Sequence, residues 1–144
     1  MPEAPTAAYR YSLKIPDSAI DGNGHVNNVV YLQWMQDAAV HHFEALGGAS
    51  LTIQAGATWV VRSHKIEYLS PAFAGEQIEV RTWIANVRRV RSLRRYEFIR
   101  PADAVTLVKG ETEWVFVDAR DGRPTTIPDG IVALLSSASP HYDR

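Results

Sequence analysis

Apolar and polar residues alternate from Tyr9 to Pro16 (Tyr-Arg-Tyr-Ser-Leu-Lys-Ile-Pro), and a period of two closed by proline predicts a first strand. Asp17 to Asn28 is rich in Gly, Asn and Asp, which supply turn geometry and local side-chain hydrogen bonds, so it reads as a loop. The period then changes. Tyr31, Trp34, Met35, Ala38, His42, Ala45 and Leu46 recur at helical spacing, Asn27 or Asn28 can cap the start, and Gly47-Gly48 marks a stop. One helix of about 19 residues, roughly 28 Å long, is predicted.

β-Branched and aromatic residues dominate Thr58 to Leu69, Gln77 to Val90, Leu93 to Ile99 and Val105 to Val117, with breaks at Ser70-Pro71, Gly75, Arg91-Ser92, Pro101-Ala-Asp103 and Asp121-Gly-Arg-Pro124. These are four long strands. Strict alternation places Ile78, Val80 and Ile84 on one face of the second of these strands' sheet and Trp83 and Val87 on the other. Two apolar faces need two covers. One helix covers one face, so the other is expected to meet a second subunit, as a homodimer or a dimer of dimers. Ile127 to Leu135 suits a short closing helix or strand, and the residues from about Ser136 to Arg144 form a polar tail. The element order predicts a single α+β domain over residues 1–144, with a curved antiparallel sheet of about five strands around a long central helix.

A chain of 144 residues can bury about two-thirds of its unfolded surface, so this core needs no covalent staples. None is offered: there is no cysteine, which excludes disulfides, thiolate-held metals and a cysteine nucleophile. The first residues show no basic start leading into an apolar stretch, and no later run reaches the roughly 18 apolar residues of a membrane span. The expected setting is the cytoplasm, with no membrane partner. Fifteen Lys and Arg against sixteen Asp and Glu leave a net charge of -1, which argues against nucleic acid as a partner.

The densest chemically capable run is Asp21-Gly-Asn23-Gly-His25-Val-Asn27-Asn28, ending where the long helix starts. A helix N-terminus offers unpaired N–H groups and positive potential, so a carbonyl placed there would be polarised, and Asp21 could attack it or deprotonate water beside it. The same residues also serve an ordinary turn with helix caps. A calcium loop would need Gly and Glu where Val26 and Leu32 stand, and the histidines lack metal spacing, His41 and His42 being adjacent on the helix. No metal and no cofactor is expected. No nucleophile elbow, phosphate-binding loop or dinucleotide fingerprint is present. Arg81 to Arg100 holds seven arginines against one acid, Glu97, and Arg88, Arg89, Arg94 and Arg95 could bind phosphates or simply form a solvated edge that discourages aggregation. Trp34, Trp59, Trp83 and Trp114 read as core or interface.

The run Asp21-Gly-Asn-Gly-His-Val-Asn-Asn-Val-Val-Tyr-Leu-Gln-Trp34 resembles the signature of the hot-dog thioesterases, the 4-hydroxybenzoyl-CoA thioesterase-like superfamily, in the form found in plant acyl-ACP thioesterases and bacterial relatives. Ile66-Glu-Tyr-Leu-Ser-Pro-Ala-Phe-Ala-Gly-Glu76 is similar to a second segment of that superfamily, and the element order agrees from about Tyr9 to Leu135. The resemblance implies a hot-dog fold, hydrolysis of an acyl-CoA or acyl carrier protein thioester, and active sites at a dimer interface. It puts Asp21 at the catalytic carboxylate, Asn23 and His25 at its polar companions, and the Asn28 N–H at the thioester carbonyl. Tyr31 and the four arginines are the expected substrate contacts. Plant acyl-ACP enzymes carry a Glu-Cys pair where this chain has Pro71-Ala72, which favours a simpler mechanism centred on Asp21. A hot-dog 2-enoyl-CoA hydratase and a non-catalytic acyl-CoA binding module are the alternatives.

Overall fold

The computed structural model describes residues 8–139. Strand β1 (Tyr9–Lys14) leads through a 3-10 turn (Asp17–Ala19) into helix α1 (Asn28–Ala45). A short helix α2 (Gly48–Gln54) follows, then β2 (Ala57–Tyr68), β3 (Gln77–Val87), β4 (Arg91–Arg100), β5 (Val105–Asp118) and helix α3 (Asp129–Ser137). All pairings are antiparallel and the sheet order is β1-β3-β4-β5-β2.

Helix α1 forms where its apolar spacing predicts, and it is capped by Asn27, whose Oδ1 accepts the Val29 N–H at 2.9 Å. Its buried side, including Tyr31, Trp34, Met35 and Ala38, packs on Val80, Tyr96, Phe98 and Val108 of the sheet. Gly110 permits that approach, since a Cβ there would lie 3.0 Å from Met35 Cε. Gly47 stops the helix in the left-handed conformation, φ 81°. The chain does not then pass directly to a strand. It starts α2, packed so closely that a Cβ on Gly48 would come within 2.3 Å of the Phe43 ring.

Helix α3 settles the closing segment as a helix, and its Ile131 and Leu135 join Ile84 and Phe116 in a second core cluster at the C-terminal end of α1. The tail expected from about Ser136 is still helical through Ser137, and residues 140–144 lie outside the described part.

The expectation of an apolar second sheet face holds for Trp83, which pairs with outward Arg95 and is buried, but most of its neighbours there are charged. Alternation from Val80, Tyr96 and Val108 turns Glu79, Arg81, Arg95, Glu97, Glu111 and Glu113 away from α1. They form a grid of ion pairs, among them Arg10–Glu79 at 2.6 Å, Arg95–Glu111 at 3.2 Å and Arg91–Glu113 at 3.5 Å. Much of that face suits water. Val87 had been placed opposite Ile84, but a β-bulge between Ile84 and Asn86 shifts the alternation, and both residues belong to the α3 cluster.

Exposed apolar surface sits elsewhere. Strand β2 is a free edge, paired only with β5, and carries exposed Val60 and Tyr68. Val29 and Val40 on α1 and Ile53 on α2 are also exposed.

Candidate active site

The loop before α1 is folded by its own backbone. Ile20 bridges Val26, the Asp21 N–H donates to the His25 carbonyl at 3.0 Å, and the Gly24 N–H donates back to the Asp21 carbonyl at 3.0 Å. Gly24 takes φ 81°, a conformation that costs glycine nothing. The Val26 N–H donates to the Ala72 carbonyl at 2.9 Å, which locks the loop onto the segment after β2, and the Asn27 N–H donates to the Ala19 carbonyl at 2.8 Å, which closes the loop on its own 3-10 turn.

Beside this loop lies a cleft of about 190 Å³ whose lining includes His25, Asn28, Tyr31, Tyr68 and Ala72. His25 meets the edge of the Phe73 ring at 5.8 Å between centroids. At the start of α1 the Val29 N–H is taken by the Asn27 side chain and the Val30 N–H by the Asn27 carbonyl. The Asn28 N–H has no acceptor among the described residues. The helix therefore presents one open donor, reinforced by its positive end, at the cleft.

The structure brings His25, Asn28 and Tyr31 together at the cleft, while Asp21 and Asn23, in the same loop, are not part of its lining. Asp21 is partly buried, and its Oδ1 accepts the Asn23 N–H at 2.9 Å, leaving Oδ2 without a described protein donor. Tyr31 is buried against Trp34, Tyr68 and Phe98. Burial, then the nearby Tyr68 and Glu76, push its hydroxyl up to about 12 against the opposing pull of Arg100, so it stays a neutral donor.

Sequence reasoning passed over Tyr68, which closes the cleft and donates to the Asn28 carbonyl at 3.1 Å. Its signal was the Glu67-Tyr68 step before Ser70-Pro71, the end of an edge strand reaching the helix start.

The four arginines expected together are spread over three environments. Arg88 and Arg89 are exposed in the β3–β4 hairpin, and Arg95 lies on the outer sheet face with Glu111. Arg94 points to the helix side and is buried, because β4 alternation sends neighbouring residues to opposite faces. Its Nη1 donates to Thr82 Oγ1 at 3.0 Å and meets His42 Nδ1 at 2.8 Å. A second, larger cavity of about 470 Å³ lies between the C-terminal half of α1, α2 and the sheet, and Arg94, Trp59 and Trp114 line it. Among the described residues no three His, Cys, Asp or Glu side chains gather to hold a metal ion, and no helix is long and apolar enough to cross a membrane.

A capped central helix laid on a five-stranded antiparallel sheet, with an Asn/His-bearing loop at the helix start, is the hot-dog arrangement, and residues 15–135 match the thioesterase-like superfamily. The chain belongs to that superfamily. It is similar to a hypothetical protein from Thermus thermophilus at 27% identity and TM-score 0.80, covering 90% of this chain and 98% of that one. A 1,4-dihydroxy-2-naphthoyl-CoA thioesterase from Synechocystis shares the fold at 18% identity and TM-score 0.81, covering 90% and 96%. So does a Pseudomonas aeruginosa protein at 23% identity and TM-score 0.82, covering 93% of each chain.

Proposed function

We propose that this protein hydrolyses acyl-CoA thioesters, or acyl carrier protein thioesters, to free acid and thiol. The observation that carries the reading is the open Asn28 N–H at the capped start of α1, on a residue that lines a cleft together with His25 and Tyr31. A thioester carbonyl seated there would have its developing oxyanion stabilised by that N–H and the helix end. Asp21 acts as general base on water or as nucleophile through its free Oδ2, while Asn23 and His25 orient the water or substrate. Arg88 and Arg89 hold the coenzyme A phosphates from the exposed hairpin. The cytoplasmic setting expected from the sequence belongs to the same reading.

The active unit is a homodimer, alone or within a dimer of dimers, formed through the free β2 edges. Antiparallel pairing of two β2 strands about a two-fold axis sets the Tyr68 end of one protomer against the Trp59 end of the other. Because Tyr68 touches Asn28 and Trp59 touches Phe43, this brings the α1 start of one protomer beside the larger cavity of its partner. An acyl group leaving the cleft would have that cavity to enter.

Thiol release measured over short, long, branched, aromatic and 2-enoyl acyl-CoAs tests the reading. The expected result is thiol from saturated and unsaturated esters alike. Hydration of 2-enoyl-CoA without thiol would instead mark a hydratase, and tight binding without turnover a binding module.

A further inference from the structure

Arg94 is 3% exposed, yet among the described residues it has no carboxylate partner. Its two recorded partners are neutral acceptors. Thr82 Oγ1 donates its own proton to the Arg95 carbonyl at 2.9 Å and so receives from Arg94. His42 Nδ1 must likewise accept, since a guanidinium has no lone pair to offer, which puts the ring proton on Nε2. Burial, with Arg94 as the second cause, holds His42 down at about 3, so the imidazole remains neutral. The guanidinium itself keeps its charge under any ordinary condition.

Both of these bonds leave from Nη1. The Nε–H and the Nη2 donors have no acceptor among the described residues, and Arg94 forms part of the wall of the larger cavity. Those N–H groups lie on one edge of the guanidinium, and two parallel donors on one edge match the two oxygens of a carboxylate. The rest of the cavity is mainly apolar, built by Ala39, Val40, Phe43, Trp59, Ile84 and Leu135. Glu44, the acid on the lining, is exposed and makes no ion pair with Arg94. A buried cation whose counter-charge is missing, at the wall of a roomy apolar cavity, is a site waiting for an anion.

We infer that the larger cavity receives an acyl group ending in a second carboxylate, which Arg94 holds through its Nε and Nη2 donors. The inference rests on the proposed thioesterase reading and names its substrate class: half-thioesters of α,ω-dicarboxylic acids. A plain hydrocarbon tail would leave the guanidinium desolvated and unpaired, so the site discriminates by charge as well as by length.

The test compares ω-carboxyacyl-CoAs with unsubstituted acyl-CoAs of equal chain length, reading kcat/KM by thiol release. At the best length the carboxylate-ended series should lead by about 10- to 100-fold, the range of a charged hydrogen-bonded pair. Arg94→Met should collapse that ratio and Arg94→Lys should keep part of it. Binding is followed separately with free dicarboxylates and monocarboxylates through the fluorescence of Trp59 and Trp114, which line the cavity. Preferential quenching by dicarboxylates in the unmodified protein supports the site even where Arg94→Met fails to fold. If both acid classes bind alike and the two ester series turn over alike, the inference is overturned and the thioesterase reading stands. Thiol release from neither series, with dicarboxylate binding intact, would remove the thioesterase reading and leave the anion site.

Discussion

His42 should make the protein lose stability between pH 7 and pH 5, before most carboxylates titrate. In the folded state the ring is stacked under Tyr9 at 4.6 Å and bonded to Arg94, and its affinity for a proton drops from 6.5 to about 3. A histidine with a depressed folded value binds its proton in the unfolded chain first. Stability from this group is therefore complete above pH 6.5 and is lost as pH falls towards 3, with a slope of about 1.4 kcal/mol per pH unit. Integrated from pH 7 to 5, the loss is about 2 kcal/mol, and solvent reaching the ring edge makes that an upper value. It barely depends on whether the folded value is 3 or 4, because both lie well below the window. His64, lowered by burial, contributes in the same direction. The readout is thus the difference between the parent and His42→Asn, whose side-chain oxygen can replace Nδ1 as the acceptor. Urea unfolding at fixed protein concentration and a series of pH values supplies it. Equal pH slopes for parent and variant would mean that His42 protonates freely in the folded state. The neutral-partner description of Arg94 would then be refuted.

Gly48→Ala should destabilise by about 1–3 kcal/mol, since its Cβ would meet the Phe43 ring at 2.3 Å; a melting temperature equal to the parent's would show that α2 rides loosely on α1. Replacing Arg88 and Arg89 together with alanine should raise KM for CoA esters in a salt-sensitive way while sparing pantetheine esters. Unchanged CoA kinetics would return the hairpin to a solvated edge. Light scattering at micromolar concentration should give at least a dimer, and Ser63→Pro on the free β2 edge should shift it towards monomer together with loss of activity. An active parent monomer would remove the shared-site arrangement.

The long helix was legible because Tyr31, Trp34, Met35, Ala38 and His42 recur at helical spacing and all prove buried. The loop before it was legible because Gly and Asn announce left-handed and capping positions, as Gly24 and Asn27 confirm. Helix α2 was hidden, for seven residues rich in small and β-branched types carry too little period to read. Trp83 stands on the face that alternation gave it, but a bulge after Ile84 is invisible in an apolar string, so strict alternation put Val87 on the wrong side. The depth of Arg94 was equally hidden. In the sequence it is one of a row of arginines, and only the register of β4 between β3 and β5 sends it under α1 while Arg95 faces outward.

The central claim is that chemistry occurs at the start of α1 with Asp21 as its base or nucleophile, and Asp21→Asn tests it most directly. The substitution keeps the shape and preserves an oxygen to accept the Asn23 N–H, so the turn should survive. Thiol release from the best acyl-CoA found in the screen should fall by about 10²- to 10⁴-fold with KM little changed, and the melting temperature should stay near the parent's. A folded Asp21→Asn variant hydrolysing that ester at the parent rate would contradict the account.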